Sequence, residues 1–269
     1  MSEPNLVVSI AGSDPSGGAG LQADLSVFAR HNLRGGGVVT ALTVQSARRV
    51  ESCTAIPSEQ VAAQLRTVLR DHQVVGGKVG MLGNGETPAV IAEVWRKTAG
   101  DIPLVVDPVL VSSSGAQLLE ESGIRTLRSY LVPLATVITP NLPEAASLLG
   151  WAKVEPGAEE AAARALLELG PDCVVLTGGH GAGEEVVDTV VLASGDLVEL
   201  RGPRIQTPNT HGTGCLLSAG ILSALITGAG VLKAVEHGRA CVQRGLMAGR
   251  EGAVWLDQVP EGLRAGSSA

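Results

Sequence analysis

Aromatic residues are nearly missing from this 269-residue chain: three Trp, one Tyr and one Phe make up 2% of it. Stacking surfaces for nucleic-acid bases need aromatic faces, so that class of function is excluded. Excess positive charge is also lacking, since the formal net charge is −7 and the pI is near 5.3. Binding of a polyanion by bulk charge is therefore excluded, and any phosphate must be held locally by backbone and metal. The four cysteines, Cys53, Cys173, Cys215 and Cys241, contain no CxxC pair. Neither a zinc knuckle nor a disulfide framework is suggested, and a reducing cytoplasm is the expected location. The first apolar run is too short for a signal sequence or a membrane span. Two glycine signatures are absent as well, the GxGxxG dinucleotide fingerprint and the Gly-Lys-Ser/Thr ending of a Walker A loop.

What remains is a core of Val, Leu, Ile and Ala, with 45% hydrophobic residues overall. Such a core suits a sheet sandwiched between helices. Residues 6–11 form an apolar run, residues 12–20 a glycine-rich loop, and Leu21, Leu25, Phe28 and Ala29 follow at helical spacing. Further strands are predicted at 37–45, 74–80, 102–106, 136–139 and 173–176, with helices between them. One is predicted to start at Pro57, one near 118–130 and one over 159–169. Residues 186–192 and 197–200 flank Ser194-Gly195-Asp196 and predict a hairpin. Repeated strand–helix units with this late hairpin imply an α/β fold, a mostly parallel sheet covered by helices on both faces. No linker or repeat divides the chain, so a single domain over 1–269 is expected, with a polar tail at 264–269.

Residues 207–220 concentrate glycines, hydroxyls and one thiol ahead of an apolar helical pattern. Gly212 and Gly214 permit a tight turn, and the unpaired N–H groups of the following helix favour an anion. Cys215 falls in the first turn, where a thiolate is stabilised, which makes it a candidate proton acceptor. The competing reading is an ordinary loop with Cys215 as a small core residue. Asn141 and Glu144 stand one turn apart at a helix start, either as oxygen ligands of a hydrated magnesium ion or as an N-cap with a first-turn acid. Asp107 ends a predicted strand, at the edge where open α/β sheets bind ligands. Thr43 and Gln45 end another.

Residues 11–25 (AGSDPSGGAGLQADL), 40–45 (TALTVQ), 78–82 (KVGML), 107–109 (DPV), 139–145 (TPNLPEA) and 209–215 (NTHGTGC) occur in this order. Together they resemble the hydroxymethylpyrimidine/phosphomethylpyrimidine kinases of thiamine biosynthesis, over about residues 7–247. The resemblance implies a ribokinase-like fold and two successive ATP-dependent phosphorylations. The first acts on the hydroxymethyl group of 4-amino-5-hydroxymethyl-2-methylpyrimidine, the second on the resulting monophosphate. By the same resemblance Gly12, Asp24, Gln45 and Met81 line the pyrimidine pocket. Gly212, Thr213, Gly214 and Cys215 form the catalytic anion hole. Asp107, Asn141, Glu144, Thr177 and Gly179 serve ATP, with Glu144 and Asn141 reaching Mg2+ through water, and a homodimer is expected. Thr177 stands where the family usually has Lys. Two other readings share the motifs: a pyridoxal or pyridoxine kinase, and a pyrimidine sensor without turnover.

Overall fold

A computed structural model describes residues 5–111, 115, 117–179 and 183–258. The predicted tail at 264–269 and His180, which follows Gly179, lie outside these residues. The chain runs β1 (Leu6–Ser13), α1 (Gly20–Arg30), β2 (Arg34–Ser46), β3 (Arg49–Ala55), α2 (Ser58–Asp71), β4 (Val74–Val79), α3 (Thr87–Thr98) and β5 (Leu104–Val106). It continues through α4 (Glu121–Thr126), β6 (Val137–Ile138), α5 (Leu142–Leu149), α6 (Glu159–Leu167) and β7 (Cys173–Leu176). The hairpin β8 (Glu185–Leu192) and β9 (Leu197–Pro203) and the helices α7 (Thr213–Ile226) and α8 (Val231–Ala248) complete it.

Among the described residues the nine strands join one sheet in the order β3-β2-β1-β4-β5-β6-β7-β8-β9. β2, β1, β4, β5, β6 and β7 are mutually parallel, β3 and β8 run against them, and β9, antiparallel to β8, returns to their direction. Successive strand residues point to opposite faces. Accordingly Val8, Val106, Ile138 and Val174 pack into one apolar layer with α2, α3, α5 and α6, and Val7, Val105, Val137 and Val175 into another with α1, α7 and α8. Both layers are needed, which is why the strands read as continuous apolar runs. Helix α7 lies deepest, with residues 216–224 all buried, as expected of a helix apolar on every side.

The expected architecture of a mostly parallel, doubly covered sheet is observed, and the strand predicted at 173–176 has those bounds. Three features differ. A second hairpin, β2–β3, precedes α2, and it left no apolar signal because most of β3 is exposed. Pro57 occupies the N-cap of α2 rather than its first turn. The helix predicted near 118–130 begins only at Glu121, and after Thr126 it widens into a π-helical segment, Leu127–Leu131.

Because β2 lies on one side of β1 and β4 on the other, connections leave β1 and β4 in opposite directions. That is the topological switch point at which such sheets open a crevice beyond their strand ends.

Candidate active site

Beyond the end of β1, the loop before α1 is built around Asp14. Its carboxylate accepts hydrogen bonds from the Ser16 N–H (2.8 Å), the Ser16 hydroxyl (2.7 Å) and the Ala19 N–H (3.0 Å). Asp14 also lies 2.8 Å from His211 Nε2, which ties this loop to the one preceding α7. Burial alone would raise the Asp14 carboxyl, but His211 and Ser16 outweigh it and hold it below its ordinary value. The two loops then meet closely. Gly212 takes a left-handed φ of 91° as the N-cap of α7, and a side chain there would strike the Gly18 carbonyl.

Cys215 sits in the first turn of α7, as expected, and its Sγ accepts the Gly20 N–H at 3.3 Å. Gly20 packs against the Gly12 carbonyl, and a Cβ on Gly12 would come within 2.9 Å of Met81 Sδ. The fold thus gathers Gly12, Met81, Gly20 and Cys215 at the ends of β1 and β4. The thiol does not behave as the helix position alone suggested. Burial, reinforced by Asp24 and Asp107, pushes it up to about 12, against the pull of Lys78 and the Gly20 N–H. A helix start favours a thiolate, yet desolvation beside two carboxylates is the larger effect here. The residue as a whole is half-buried.

Asp24 is on α1 as expected, but it is wholly buried. Lys78 Nζ lies 3.0 Å from both its oxygens, and the Ser9 hydroxyl donates to it at 2.5 Å. Burial pushes the Asp24 carboxyl up while Lys78 and Ser9 pull it back. Lys78 itself moves upward, because Asp24, aided by Cys215 and Asp107, outweighs the burial that would lower it. Contact with both oxygens and the Ser9 donor favours the charged pair. Lys78 carries no assigned role in the sequence reading, although a lysine interrupting the apolar strand Val74–Val79 is itself a signal. Asp14 and His211 were likewise unassigned.

On the other side, Asp107 follows β5 and lies under the first turn of α7. A Cβ on Gly214 would approach its Oδ2 to 3.2 Å, and the Ser218 hydroxyl is 3.3 Å from that oxygen. Asn141 and Glu144 form a full capping box at the start of α5. The Glu144 N–H donates to Asn141 Oδ1, and the Asn141 N–H to Glu144 Oε2, both at 2.9 Å. The cap reading of this pair is therefore realised, with the Asn141 carbonyl oxygen engaged in it. Glu144 is also buried, and burial together with Asp107 pushes it up to about 8. Asp107 is raised by its own burial more than Lys78 lowers it. The Thr139 hydroxyl is buried beside Asp107 and helps to lower its carboxyl.

Two buried carboxylates near enough to repel, with the Thr139 hydroxyl beside them, form an oxygen-donor set with surplus negative charge. A hard divalent cation fits that set.

Thr177 continues the same edge, its N–H donating to the Pro140 carbonyl at 2.9 Å. Gly179 is exposed, and its carbonyl accepts from Arg204 at 2.8 Å. Gln45 is half-buried on the β2–β3 hairpin, paired with Val50. Two residues earlier, Thr43 donates its hydroxyl to the Ser13 carbonyl at 2.8 Å, fastening the hairpin to the end of β1.

A family model described as phosphomethylpyrimidine kinase matches residues 14–253, from the loop after β1 to beyond α8. The chain belongs to the phosphomethylpyrimidine kinase family. It is 41% identical to a hydroxymethylpyrimidine/phosphomethylpyrimidine kinase of Haemophilus influenzae, over 88% of each chain. It is also 41% identical to one from Rhizobium meliloti, covering 90% of this chain and 91% of the relative. Among solved structures, a Bacillus subtilis pyridoxal kinase with ADP superposes with a TM-score of 0.82 at 32% identity, over 90% of this chain and 92% of that one. A Clostridium difficile phosphomethylpyrimidine kinase gives 0.75 at 33% identity, over 89% and 97%. The ribokinase-like fold expected from the motifs is thereby shown.

Proposed function

We propose that this phosphomethylpyrimidine kinase family member phosphorylates 4-amino-5-hydroxymethyl-2-methylpyrimidine with ATP, and then phosphorylates the monophosphate to the diphosphate. The observation that carries this reading is the meeting of Gly12, Met81 and Cys215 at the start of α7. There a hydroxymethyl group would face both a thiol and an anion cradle.

Phosphoryl transfer asks mainly for in-line placement and for stabilisation of charge on the moving group. The N–H groups of Gly212, Gly214 and Cys215 at the start of a 14-residue helix would supply the second need, with that of Thr213 joining once it leaves the Thr210 carbonyl, 3.3 Å away. Gly12 and Met81 form one wall for the pyrimidine. Gln45, able to donate and accept together, suits the aminopyrimidine edge. Asp24 acts on this pocket through Lys78, being buried itself. Asp107 and Glu144 would hold Mg2+, with Asn141 fixing the Glu144 side chain and Thr177 and Gly179 bordering the ATP side. Bound there, the ion supplies positive charge to phosphate oxygens.

Cys215 would accept the proton of the neutral alcohol in the first step. Offsetting the charge on Asp107 would remove one of the groups that hold the proton on the thiol, while Lys78 and the Gly20 N–H favour the thiolate against burial and Asp24. The second nucleophile is an ionised phosphate and needs no base. Cys215→Ala is thus expected to slow the first phosphorylation at least ~100-fold and the second far less. Product analysis with each substrate checks this, and equal losses in both steps refute the base assignment.

Pyridoxal phosphorylation is a second reading, supported by the TM-score of 0.82 to a pyridoxal kinase against 0.75 to the solved phosphomethylpyrimidine kinase. Side-by-side rates on both alcohols distinguish them. Two copies of the chain would assemble as a homodimer, with the exposed Leu42 and Val44 of β2 as apolar surface to cover. Among the described residues no helix is long and apolar enough to cross a membrane.

A further inference from the structure

Far from the switch point, at the opposite end of α1, three side chains of two helices converge. His31 is the C-cap residue of α1, and His237 and Cys241 lie one turn apart on the inner side of α8. All three are buried, and their donor atoms lie within 4.8 Å of one another. His31 Nε2 is 2.7 Å from His237 Nε2, and Cys241 Sγ is 3.6 Å from that same nitrogen. The rings meet edge to face at 77°, their Nε2 atoms in contact with each other and that of His237 beside the sulfur. We propose that His31, His237 and Cys241 form a binding site for a single zinc-class d10 cation that fastens the end of α1 to α8.

Three features of the geometry support it. Imidazole nitrogen and thiolate sulfur are the donors that zinc selects, at about 2.0–2.1 Å and 2.3 Å. Tetrahedral ligation at those lengths places sulfur and nitrogen about 3.5 Å apart, close to the 3.6 Å observed. It places two nitrogens about 3.3 Å apart, so the imidazoles need to part by only about half an ångström. Secondly, His31 Nδ1 lies 2.8 Å from the Val27 carbonyl. A proton held there leaves Nε2 with its lone pair directed at the site, the orienting contact that metal-bound histidines make. Thirdly, His237 and Cys241 are spaced i, i+4, which brings both onto one face of α8.

Without metal, the His237 Nε2–H donates to His31. On binding, that proton passes to His237 Nδ1, the Cys241 thiol releases its proton to solvent, and sulfur and both Nε2 atoms bond to the cation. One proton leaves per metal, and a water completes the four-coordinate shell. The site is about 16 Å along α1 from the Gly20–Cys215 contact, so it lies apart from the kinase machinery.

The test uses the full chain, stripped with a chelator, reloaded with Zn2+ and desalted. One zinc per chain is expected, with uptake of Zn2+ releasing one proton. Cys241→Ser and His31→Gln should each weaken zinc binding more than ~100-fold, beyond the loss typical of removing an outer partner of a metal ligand. Co2+ in place of zinc reports the ligand directly. A thiolate-to-cobalt absorption band should appear in the wild type, persist in Cys215→Ser and vanish in Cys241→Ser. Failure of the wild type to retain zinc, or loss of the cobalt band in Cys215→Ser with retention in Cys241→Ser, overturns the proposal. Should either variant of the cluster fail to fold, the wild-type stoichiometry and the Cys215→Ser spectrum decide alone.

Discussion

Two buried carboxylate groups flank Cys215, and they are treated in opposite ways. At the ends of β1 and β4, Asp24 meets Lys78 and Ser9, and every charge has its counter-charge within 3.0 Å. At the ends of β5 and β6, Asp107 and Glu144 repel each other, with Ser218 and backbone donors, and among the described residues Lys78 is the cation that offsets Asp107. A buried pair that closes on itself belongs to the framework. A buried pair that does not close raises its own proton affinities, and it does so where a ligand can bring the missing charge. The contrast separates the half of the site that is finished on folding from the half that is finished on binding.

The largest effect comes from breaking the closed half. Lys78→Met leaves Asp24 buried without a partner and should cost about 3–5 kcal/mol in denaturant unfolding. Adding Asp24→Asn should recover most of that loss, since the stranded charge goes with it. A single-variant cost below about 1 kcal/mol would mean that Asp24 escapes to solvent or to a proton, and the distinction between the halves would fail.

The open half should show itself in pH dependence. Glu144 has a folded-state pKa raised to about 8, above the 4.5 of an ordinary glutamate, so the folded chain binds its proton more tightly than the unfolded chain does. Stability of the metal-free protein is then full below about pH 4.5 and falls as pH rises toward about 8, where it levels off. The slope should be on the order of 1 kcal/mol per pH unit. Glu144→Gln, which can still complete the capping box, should flatten that slope. Added Mg2+ should restore stability to the wild type chiefly at the alkaline end, with urea midpoints across the pH range as the measurement. A slope unchanged in Glu144→Gln would place the raised proton affinity elsewhere.

Sequence reasoning reached these halves unequally. The parallel sheet was legible because Val and Ile alternate between two apolar layers, and the start of α7 because glycines and hydroxyls break into an apolar helix. The capping box was legible from the three-residue spacing of Asn141 and Glu144. The β2–β3 hairpin was not, since a strand exposed on most of its length has no apolar face to betray it. Nor was the environment of Cys215. Local spacing placed it correctly at a helix start, which argued for an acidic thiol. Burial, with Asp24 and Asp107, respectively 191 and 108 residues away in the chain, reverses that argument against the pull of Lys78, and only folding assembles these surroundings.

That reversal supplies the finest test of the comparison. If the open half governs the thiol, then Asp107→Asn should lower the pH at which Cys215 becomes reactive to iodoacetamide by about one unit, because a like charge next to a thiol holds its proton on. The measurement is made on a Cys53→Ser background, to silence the exposed thiol, in the absence of Mg2+. Lys78 should have the opposite sign, since it is the one side chain that draws the Cys215 proton affinity down. Its removal would push the thiol further up, but it would also unbalance Asp24, so only Asp107→Asn isolates the open half. An unmoved titration would show that burial alone sets the Cys215 proton affinity. The acid-rich half would then influence the thiol only through whatever binds between them.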